Sequence, residues 1–355
     1  MSFTVTVQPS GVRFEVERDE PVLASAIRQG VGLPYGCKDG ACSSCKCRLV
    51  EGRVIHGAHQ PKALSAAEED AGWMLPCCAA AQTDLVIEAR TVVGADEFPP
   101  RKLPCRVRSI TRAAPDVAIL DLQLPANDPL RWRAGQYVEF ILKDGARRSY
   151  SMANACDAPP GGPGGDGGGA SPGIELHVRH MPGGRFTDHV FGAMKEKEML
   201  RLEGPFGSFF LREESARPIV LLASGTGFAP IKAILERMEA KGLTHRPTVL
   251  YWGCRSRADL YLHDWAERAA ERLPHLRYMP VLSHPRPDDG WRGRLGFVHL
   301  AVMADWPDLS GHQVYACGTP AMVEAAQRDF VERCGLPAGE FYADAFTSEA
   351  DKHGG

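Results

Sequence analysis

Cysteines are the residues of this chain best suited to bind a metal. Cys37, Cys42 and Cys45 follow the spacing C-x4-C-x2-C, and Cys77 and Cys78 lie farther along. This spacing with one distant cysteine is typical of plant-type [2Fe–2S] centres, where four thiolates complete the coordination of two sulfide-bridged irons. Structural zinc also accepts four thiolates but normally uses two C-x2-C pairs, and only Cys42 and Cys45 form one here. The spacing therefore predicts an iron–sulfur cluster with either Cys77 or Cys78 as its fourth ligand.

Three other residues complete the predicted cluster loop. Gly36 and Gly40 are expected to let the loop wrap the cluster with backbone N–H groups directed inward, where they tune its potential. Cys47 alternates away from Cys45 along the following strand, so we interpret it as a buried apolar residue rather than a ligand.

Two later segments have the chemistry of a flavin site. The segment RSYS (148–151) ends a predicted strand, where an arginine can neutralise a diphosphate, a tyrosine can pack on an isoalloxazine, and a serine can reach flavin N5. The segment GGRFT (183–187) precedes a predicted helix, and small residues at a helix N-terminus form a phosphate cradle. A surface arginine and a structural glycine turn are the alternative. The candidate residues are Arg148, Tyr150, Ser151, Gly184, Arg185 and Thr187.

Two glycine-containing turns have the chemistry of a nicotinamide site. SGTGFAP (224–230) follows a buried strand and opens a helix, which suits a dinucleotide pyrophosphate, although it is not the GxGxxG of the Rossmann fold. YACGTP (315–320) repeats this context, and a thiol at the carboxyl end of a parallel strand can touch a nicotinamide ring. Either turn can also be purely structural. The candidates are Gly225, Thr226, Gly227, Pro230, Cys317 and Gly318, with Phe346 of the aromatic C-terminal segment as a possible cover for the flavin.

The elements around these motifs predict three domains. A hairpin, a helix, the cysteine loop and a closing strand give a small α+β domain over 1–93, followed by a polar linker over 94–103. Short strands separated by turns over 104–213 indicate an antiparallel barrel or sandwich, interrupted by a glycine-rich loop (157–173) that we expect to be disordered. Alternating strands and helices over 214–355 indicate an α/β doubly wound parallel sheet.

Composition excludes several classes of protein. The 355 residues suit a multidomain protein, and the net charge of −3 gives no indication of a nucleic-acid partner. An odd number of cysteines, 11, argues against a disulfide framework. The N-terminus has no signal-peptide pattern and no stretch is long and apolar enough to span a membrane, so a cytoplasmic location is expected.

The motifs RxYS, GGxxT, GTGxxP and CGxPxM, in this order, resemble the ferredoxin–NADP⁺ reductase superfamily. The preceding cysteine loop makes the chain similar to the reductase components of phenol hydroxylases, methane monooxygenases and some Rieske dioxygenases. Through CKDGACSSCK and the doubled cysteine it looks most like CDP-6-deoxyglucoseen reductases. This resemblance implies a β-grasp ferredoxin domain, a β-barrel flavin domain and Cys77 as the fourth ligand. Ser43 departs from the family, since many relatives have glycine there, and we expect it to strain the loop or to donate a hydrogen bond to sulfur.

The resemblance also implies an activity. NADH would deliver a hydride to FAD, and the [2Fe–2S] cluster would pass electrons singly to a protein acceptor, either an oxygenase, a hydroxylase or a dehydratase component. Arg255 and Arg257 could hold the 2′-phosphate of NADPH, but NADH is favoured because such arginines are often only solvated. A reductase of free flavin or quinone and a non-enzymatic electron carrier with a vestigial nucleotide site are the alternatives.

Overall fold

The chain divides into two compact units. The computed structural model describes residues 2–94, 97–128, 130–156 and 173–347. Residues 1–99 and 344–355 with Gly207–Phe209 form the first unit, and the remaining residues form the second. Apart from Gly173, the predicted disordered loop lies outside the described residues. Among the helices described, none is both long and apolar enough to cross a membrane.

The first unit contains a mixed five-stranded sheet with strand order β2-β1-β7-β3-β5 and a separate pair, β4-β6. The predicted N-terminal hairpin is confirmed, because β1 and β2 pair antiparallel, and β7 closes the sheet parallel to β1. The elements are β1 (Ser2–Gln8), β2 (Val12–Glu17), α1 (Val22–Arg28), β3 (Cys47–Glu51), β4 (Val54–His56), α2 (Ala66–Asp70), β5 (Trp73–Met74), β6 (Ala79–Ala81) and β7 (Leu85–Glu88).

A capping box formed by Ser65 and Glu68 begins α2. Glu68 N donates to Ser65 Oγ at 3.3 Å, and Ser65 N donates to Glu68 Oε2 at 2.9 Å. The Lys46 ammonium lies 2.6 Å from the Glu68 carboxylate. This hydrogen bond is the main reason that the pKa of Glu68 is lowered to about 2. The box therefore begins the short helix α2 and ties it to Lys46, next to a cluster-loop cysteine.

The second unit begins with a six-stranded antiparallel sheet, in the order β11-β10-β13-β8-β9-β12. Its edge strands are β11 and β12. Among the described residues, one isolated bridge joins these two edges, between Met152 and Leu176, so no closed barrel is observed. Strand β8 begins at Arg101, inside the predicted linker, where it pairs with Gly204 of β13. The elements are β8 (Arg101–Ala114), β9 (Val117–Gln123), β10 (Tyr137–Ile141), β11 (Arg147–Ser151), β12 (Ile174–Arg179), α3 (Arg185–Gly192) and β13 (Met199–Phe206).

The second unit continues with a six-stranded sheet in the order β17-β16-β15-β14-β18-β19. Strands β14 to β18 pair in parallel, as predicted. The chain moves outward from β14 to β17 and then returns to place β18 beside β14, which makes a topological switch point between them. The elements are β14 (Ile219–Ser224), α4 (Phe228–Ala240), β15 (Thr248–Cys254), α5 (His263–Arg272), β16 (Leu276–Leu282), β17 (Arg294–Leu295), α6 (Val298–Asp305), β18 (Gln313–Gly318), α7 (Pro320–Arg333) and β19 (Phe341–Ala345).

Candidate functional site: cluster loop, flavin strand and nucleotide turns

The four predicted cluster cysteines interact with one another. Cys37 N donates to Cys42 Sγ at 3.4 Å, and the Cys77 side chain interacts with both Cys45 and Cys78. Among the described residues, no group of three or more histidine, cysteine or acidic side chains converges to hold one metal ion. Four thiolates are the donor set that a [2Fe–2S] cluster requires, since each iron takes two cysteine sulfurs beside the two shared sulfides.

The loop around these pairs leaves no room at its glycines. A Cβ on Gly36 would lie 3.3 Å from Cys42 Sγ, and a Cβ on Gly40 would lie 2.7 Å from His59 Cβ. Gly40 also has a φ of +74°, in the region that favours glycine. The backbone thus approaches the Cys42 sulfur closely at Gly36, whereas the segment around His59 confines Gly40.

The serine that departs from the family is strained but does not contact sulfur. Ser43 has a φ of +58°, and its Oγ donates to the Cys42 carbonyl oxygen at 2.6 Å. The hydroxyl beside the sulfur is that of Ser44, whose Oγ lies 3.4 Å from Cys42 Sγ. The expected strain at Ser43 is therefore observed, and the hydroxyl nearest to sulfur comes from the next residue.

Two further cysteines lie near the loop. Cys47 is buried in β3, and this burial raises its pKa to about 12, which agrees with its interpretation as an apolar residue. Cys78 is half-buried, and its Sγ lies 3.7 Å from the Leu75 carbonyl oxygen. The Cys77 side chain interacts with both Cys45 and Cys78, so Cys77 as the fourth ligand stays a prediction that the family resemblance supplies.

The strand β11 carries the predicted flavin residues. Arg148 Nη1 donates to the Arg147 carbonyl oxygen at 2.7 Å, and Ser151 is buried opposite Tyr137 of β10. The ring of Tyr150 lies 5.1 Å from that of Phe186 in α3. This aromatic contact connects β11 to the second predicted flavin segment.

The glycine segment before α3 forms a tight turn. Gly184 is the N-cap residue of α3, and a Cβ there would lie 2.6 Å from Thr187 Oγ1. Thr187 Oγ1 donates to the Met181 carbonyl oxygen at 2.8 Å. Arg185 forms an ion pair with Asp144, in the turn between β10 and β11. The turn therefore presents a helix N-terminus and a cation, which suit a diphosphate.

The two nucleotide turns pack against each other at the switch point. A Cβ on Gly227 would lie 2.2 Å from the Cys317 carbonyl oxygen. A Cβ on Gly318, whose φ is +140°, would lie 2.1 Å from Ser224 Oγ. The Trp252 indole also donates to the Gly225 carbonyl oxygen at 3.0 Å. Only glycine fits at this approach, so the predicted residues of both turns lie together where open α/β sheets bind ligands.

The remaining candidates differ in exposure. Thr226 is buried beside Gly225, and Pro230 lies in the first turn of α4, where a missing N–H costs little. Cys317 is the residue before the last of β18 and has 0% of its surface exposed, so its contact with nicotinamide stays a prediction. Phe346 follows β19 and is half-buried, and its place over the flavin also stays a prediction.

Comparison with known proteins follows the same division. Residues 5–82 match a family described as a 2Fe-2S iron-sulfur cluster binding domain. Residues 104–211 match an oxidoreductase FAD-binding domain, and residues 221–328 match an oxidoreductase NAD-binding domain. The chain is 39% identical to CDP-6-deoxy-L-threo-D-glycero-4-hexulose-3-dehydrase reductase from Yersinia pseudotuberculosis. The match covers 98% of this chain and 99% of the relative. The chain belongs to the ferredoxin–NADP⁺ reductase superfamily, among its members with a [2Fe–2S] domain.

Other relatives of this reductase serve oxygenases. It is 37% identical to the phenol 2-monooxygenase reductase component DmpP of Pseudomonas sp. strain CF600, over 92% of this chain and 89% of the relative. The crystal structure of the Amycolatopsis cytochrome P450 reductase GcoB matches with a TM-score of 0.76 and 33% identity, over 98% of this chain and 99% of the other. The reductase is an NAD(P)H-dependent oxidoreductase that moves electrons from NADH through FAD and a [2Fe–2S] cluster to a partner.

Sequence reasoning missed the polar residues of β12, of which Arg179 lies nearest to a predicted site. Arg179 of β12 lies beside the first nucleotide turn, since a Cβ on Gly225 would lie 2.8 Å from its Nη1. Its Nε donates to Asp116 Oδ2 at 2.8 Å. The segment IELHVRH alternates apolar and polar residues, but this pattern alone does not reveal that its polar face is buried.

Proposed function

We propose that Cys37, Cys42, Cys45 and Cys77 hold the cluster from which this reductase hands single electrons to a separate protein. The proposal rests chiefly on one observation, the match of residues 5–82, which contain all four cysteines, to a 2Fe-2S iron-sulfur cluster binding domain. FAD, when bound, supplies the conversion of a two-electron hydride donor into single electrons that the cluster accepts. The role of the protein is to orient both groups and to exclude water and oxygen.

The proposed flavin residues are those of β11 and the α3 turn. Arg148 and Arg185 would neutralise the diphosphate together with the α3 N-terminus at Gly184 and Thr187. Tyr150 would pack on the ring system, and Ser151, at the end of β11, would bond the flavin edge. Support comes from the contact between Tyr150 and Phe186, which joins the two segments.

The proposed nucleotide residues are those of the packed turns. Gly225, Thr226 and Gly227 would bind the pyrophosphate, with Pro230 and Gly318 shaping the two turns. Arg179 joins them as a further cation because its guanidinium lies beside Gly225. Cys317 and Phe346 would flank the nicotinamide at the chemical step.

The proposal includes the predicted division of the chain into three domains. A β-grasp ferredoxin domain would occupy 1–93 and a doubly wound nucleotide domain 214–355. The flavin domain, predicted over 104–213, would be a barrel whose seam lies at the Met152 bridge. Strand β8 of this domain begins at Arg101, three residues before the predicted start at 104.

The proposed acceptor is the enzyme component of a dehydrase or oxygenase system. Support comes from the names of the relatives, which are reductases of a CDP-sugar dehydrase and of phenol and terephthalate oxygenases. Capture of a partner by the reduced protein, followed by transfer of one electron to it, would identify the acceptor.

NADH is the proposed nucleotide rather than NADPH. Two carboxylates lie beside the segment that follows β15: Arg257 N donates to Asp289 Oδ2 at 3.1 Å, and the Ser256 hydroxyl donates to Asp259 Oδ2 at 3.0 Å. These negative charges would disfavour a 2′-phosphate beside Arg257 and would accept a hydrogen bond from a 2′-hydroxyl. We expect kcat/KM to be higher for NADH than for NADPH, and the reverse order would contradict this choice.

Replacing a ligand tests the serial route. We expect C42S to lose cluster iron and the reduction of cytochrome c, while it retains NADH-dependent reduction of ferricyanide, because the hydride step needs only the flavin. C47A removes a buried cysteine of the same loop region and should keep both activities. Reduction of cytochrome c by C42S at the full rate would refute the route through the cluster.

A further inference from the structure

The strand β12 presents two chemically different faces. Its apolar residues Ile174, Leu176 and Val178 are fully buried in the core of the antiparallel sheet. The alternate residues are Glu175, His177 and Arg179, and each of them contacts a residue of the nucleotide half. Because side chains alternate along a strand, one face of β12 belongs to the flavin half and the other faces the nucleotide half.

Lys232 is the centre of this contact. It lies in the second turn of α4, the helix that begins after the Gly225–Gly227 turn, and only 1% of it is exposed. Its Nζ lies 2.6 Å from Glu236 Oε1, 3.0 Å from Glu175 Oε1 and 3.1 Å from the Ala153 carbonyl oxygen. Three acceptors satisfy the three ammonium hydrogens, so the side chain is held in one position.

The same network fixes the chain that leaves the flavin strand. Glu236 Oε2 accepts a hydrogen bond from Ala155 N at 3.1 Å, four residues after Ser151. Asn154 bonds this segment to its own half, since its Oδ1 accepts from Glu175 N at 2.9 Å. Ala155 also packs against Ala233 of α4, and these small side chains bring the two backbones close together.

The charges in the network oppose one another. Burial alone would lower the pKa of Lys232, but Glu175 and Glu236 outweigh this effect and raise it. Burial raises the pKa of Glu236 and lowers that of His177, so the low polarity of the network disfavours the charged form of both groups. Buried ion networks contribute little net stability compared with apolar packing, and their best-attested use is to fix a unique arrangement.

We propose that Lys232 is a positioning residue for hydride transfer, which holds the nucleotide-binding turn at Gly225–Gly227 in register with the end of the flavin strand at Ser151. The inference rests on the proposed function, since it assigns the flavin to β11 and the nucleotide to the α4 turn. Effective hydride transfer requires the reacting atoms to be about 3–3.5 Å apart, so small shifts of α4 against β11 are costly. Lys232 acts through the helix and touches neither reactant.

Anaerobic rapid mixing of the holoprotein with NADH tests the proposal. We expect K232M to reduce its flavin at least tenfold more slowly than the wild type, with the half-saturating NADH concentration changed less than threefold. The primary deuterium isotope effect with 4-deuterated NADH should rise, because hydride transfer becomes more fully rate-limiting. The cluster signal after dithionite reduction should be unchanged. The exposed-lysine control, K195M, should match the wild type in each measurement.

A neutral variant separates positioning from stability. K232M/E175Q/E236Q leaves no uncompensated buried charge, so we expect its melting temperature to return towards that of the wild type. Its flavin reduction should remain at least tenfold slow, and it carries the test if K232M does not fold. Wild-type reduction rates in either variant would overturn the proposal. Failure of the wild type to reduce its flavin with NADH would instead refute the proposed function.

Discussion

At the scale of single residues, the chemistry of the cluster loop depends on which hydroxyl lies near which sulfur. Ser43 and Ser44 are adjacent and identical in type, yet Ser44 Oγ lies 3.4 Å from Cys42 Sγ while Ser43 Oγ bonds a carbonyl oxygen. Hydrogen bonds to ligand sulfurs stabilise the extra negative charge of a reduced cluster and thereby raise its potential. Neighbouring serines should therefore have different effects.

Removing each hydroxyl in turn tests this difference. S44A should lower the reduction potential of the cluster by tens of millivolts, which corresponds to about 0.5–1.5 kcal/mol for a lost hydrogen bond. S43A, the matched control, should leave the potential within experimental error. Redox titration followed by electron paramagnetic resonance measures both, and an equal shift in the two variants would contradict the assignment.

A second prediction concerns the backbone of the same loop. G40A should reduce cluster iron content and lower the melting temperature, because its Cβ would lie 2.7 Å from His59 Cβ at a φ of +74°. Gly11 has a φ of +72°, and a Cβ there would meet no atom within 4 Å, so G11A isolates the conformational cost. That cost is roughly 1–2 kcal/mol for a residue forced into the left-handed region. Equal losses in both variants would mean that the contact with His59 is unimportant.

At the scale of elements, the proposed nucleotide site depends on two turns that pack too closely for any side chain. G227A should abolish reduction of the flavin by NADH, because its Cβ would lie 2.2 Å from the Cys317 carbonyl oxygen. G242A, with a φ of +62° and open space after α4, should retain activity at a small cost in stability. Full NADH turnover by G227A would argue against a nucleotide site at these turns.

Local sequence predicts those elements whose own residues determine their form. The strand before each glycine turn, the capping box at Ser65 and the hairpin at Gly11 are examples, since turn chemistry and periodicity specify them. The short strands β4 to β6 and β17 were missed because two or three residues carry no period. The strand β13 was missed although leucines alternate at its start, and so the early start of β8, which pairs with it, was missed as well.

The buried network around Lys232 could not be predicted in the same way. Its members lie just after β11, on β12 and on α4, far apart along the chain, and only the packing of the two sheets in one unit brings them together. In the sequence, Lys232 looks like a solvated residue on an amphipathic helix. Motifs predict residues that bind cofactors, whereas residues that position these motifs depend on topology.

At the scale of the whole molecule, the proposed cofactor-binding segments are divided between two compact units. The flavin and nucleotide halves belong to one unit, in which the proposed hydride step would take place between segments held by β12 and α4. The cluster cysteines belong to the other unit. The two-electron step is thus assigned to one unit and the single-electron steps to the other. This division matches the order of electron transfer that a reductase component requires.

Anaerobic mixing of the purified holoprotein with NADH, followed by absorbance and by freeze-quenched electron paramagnetic resonance, tests this order directly. The flavin absorbance should bleach first, and the signal of the reduced cluster should then grow at the expense of the reduced flavin. A cluster signal that grows at the full rate in protein stripped of FAD would contradict the serial route. Protein that contains zinc in place of iron and sulfide would contradict the cluster itself.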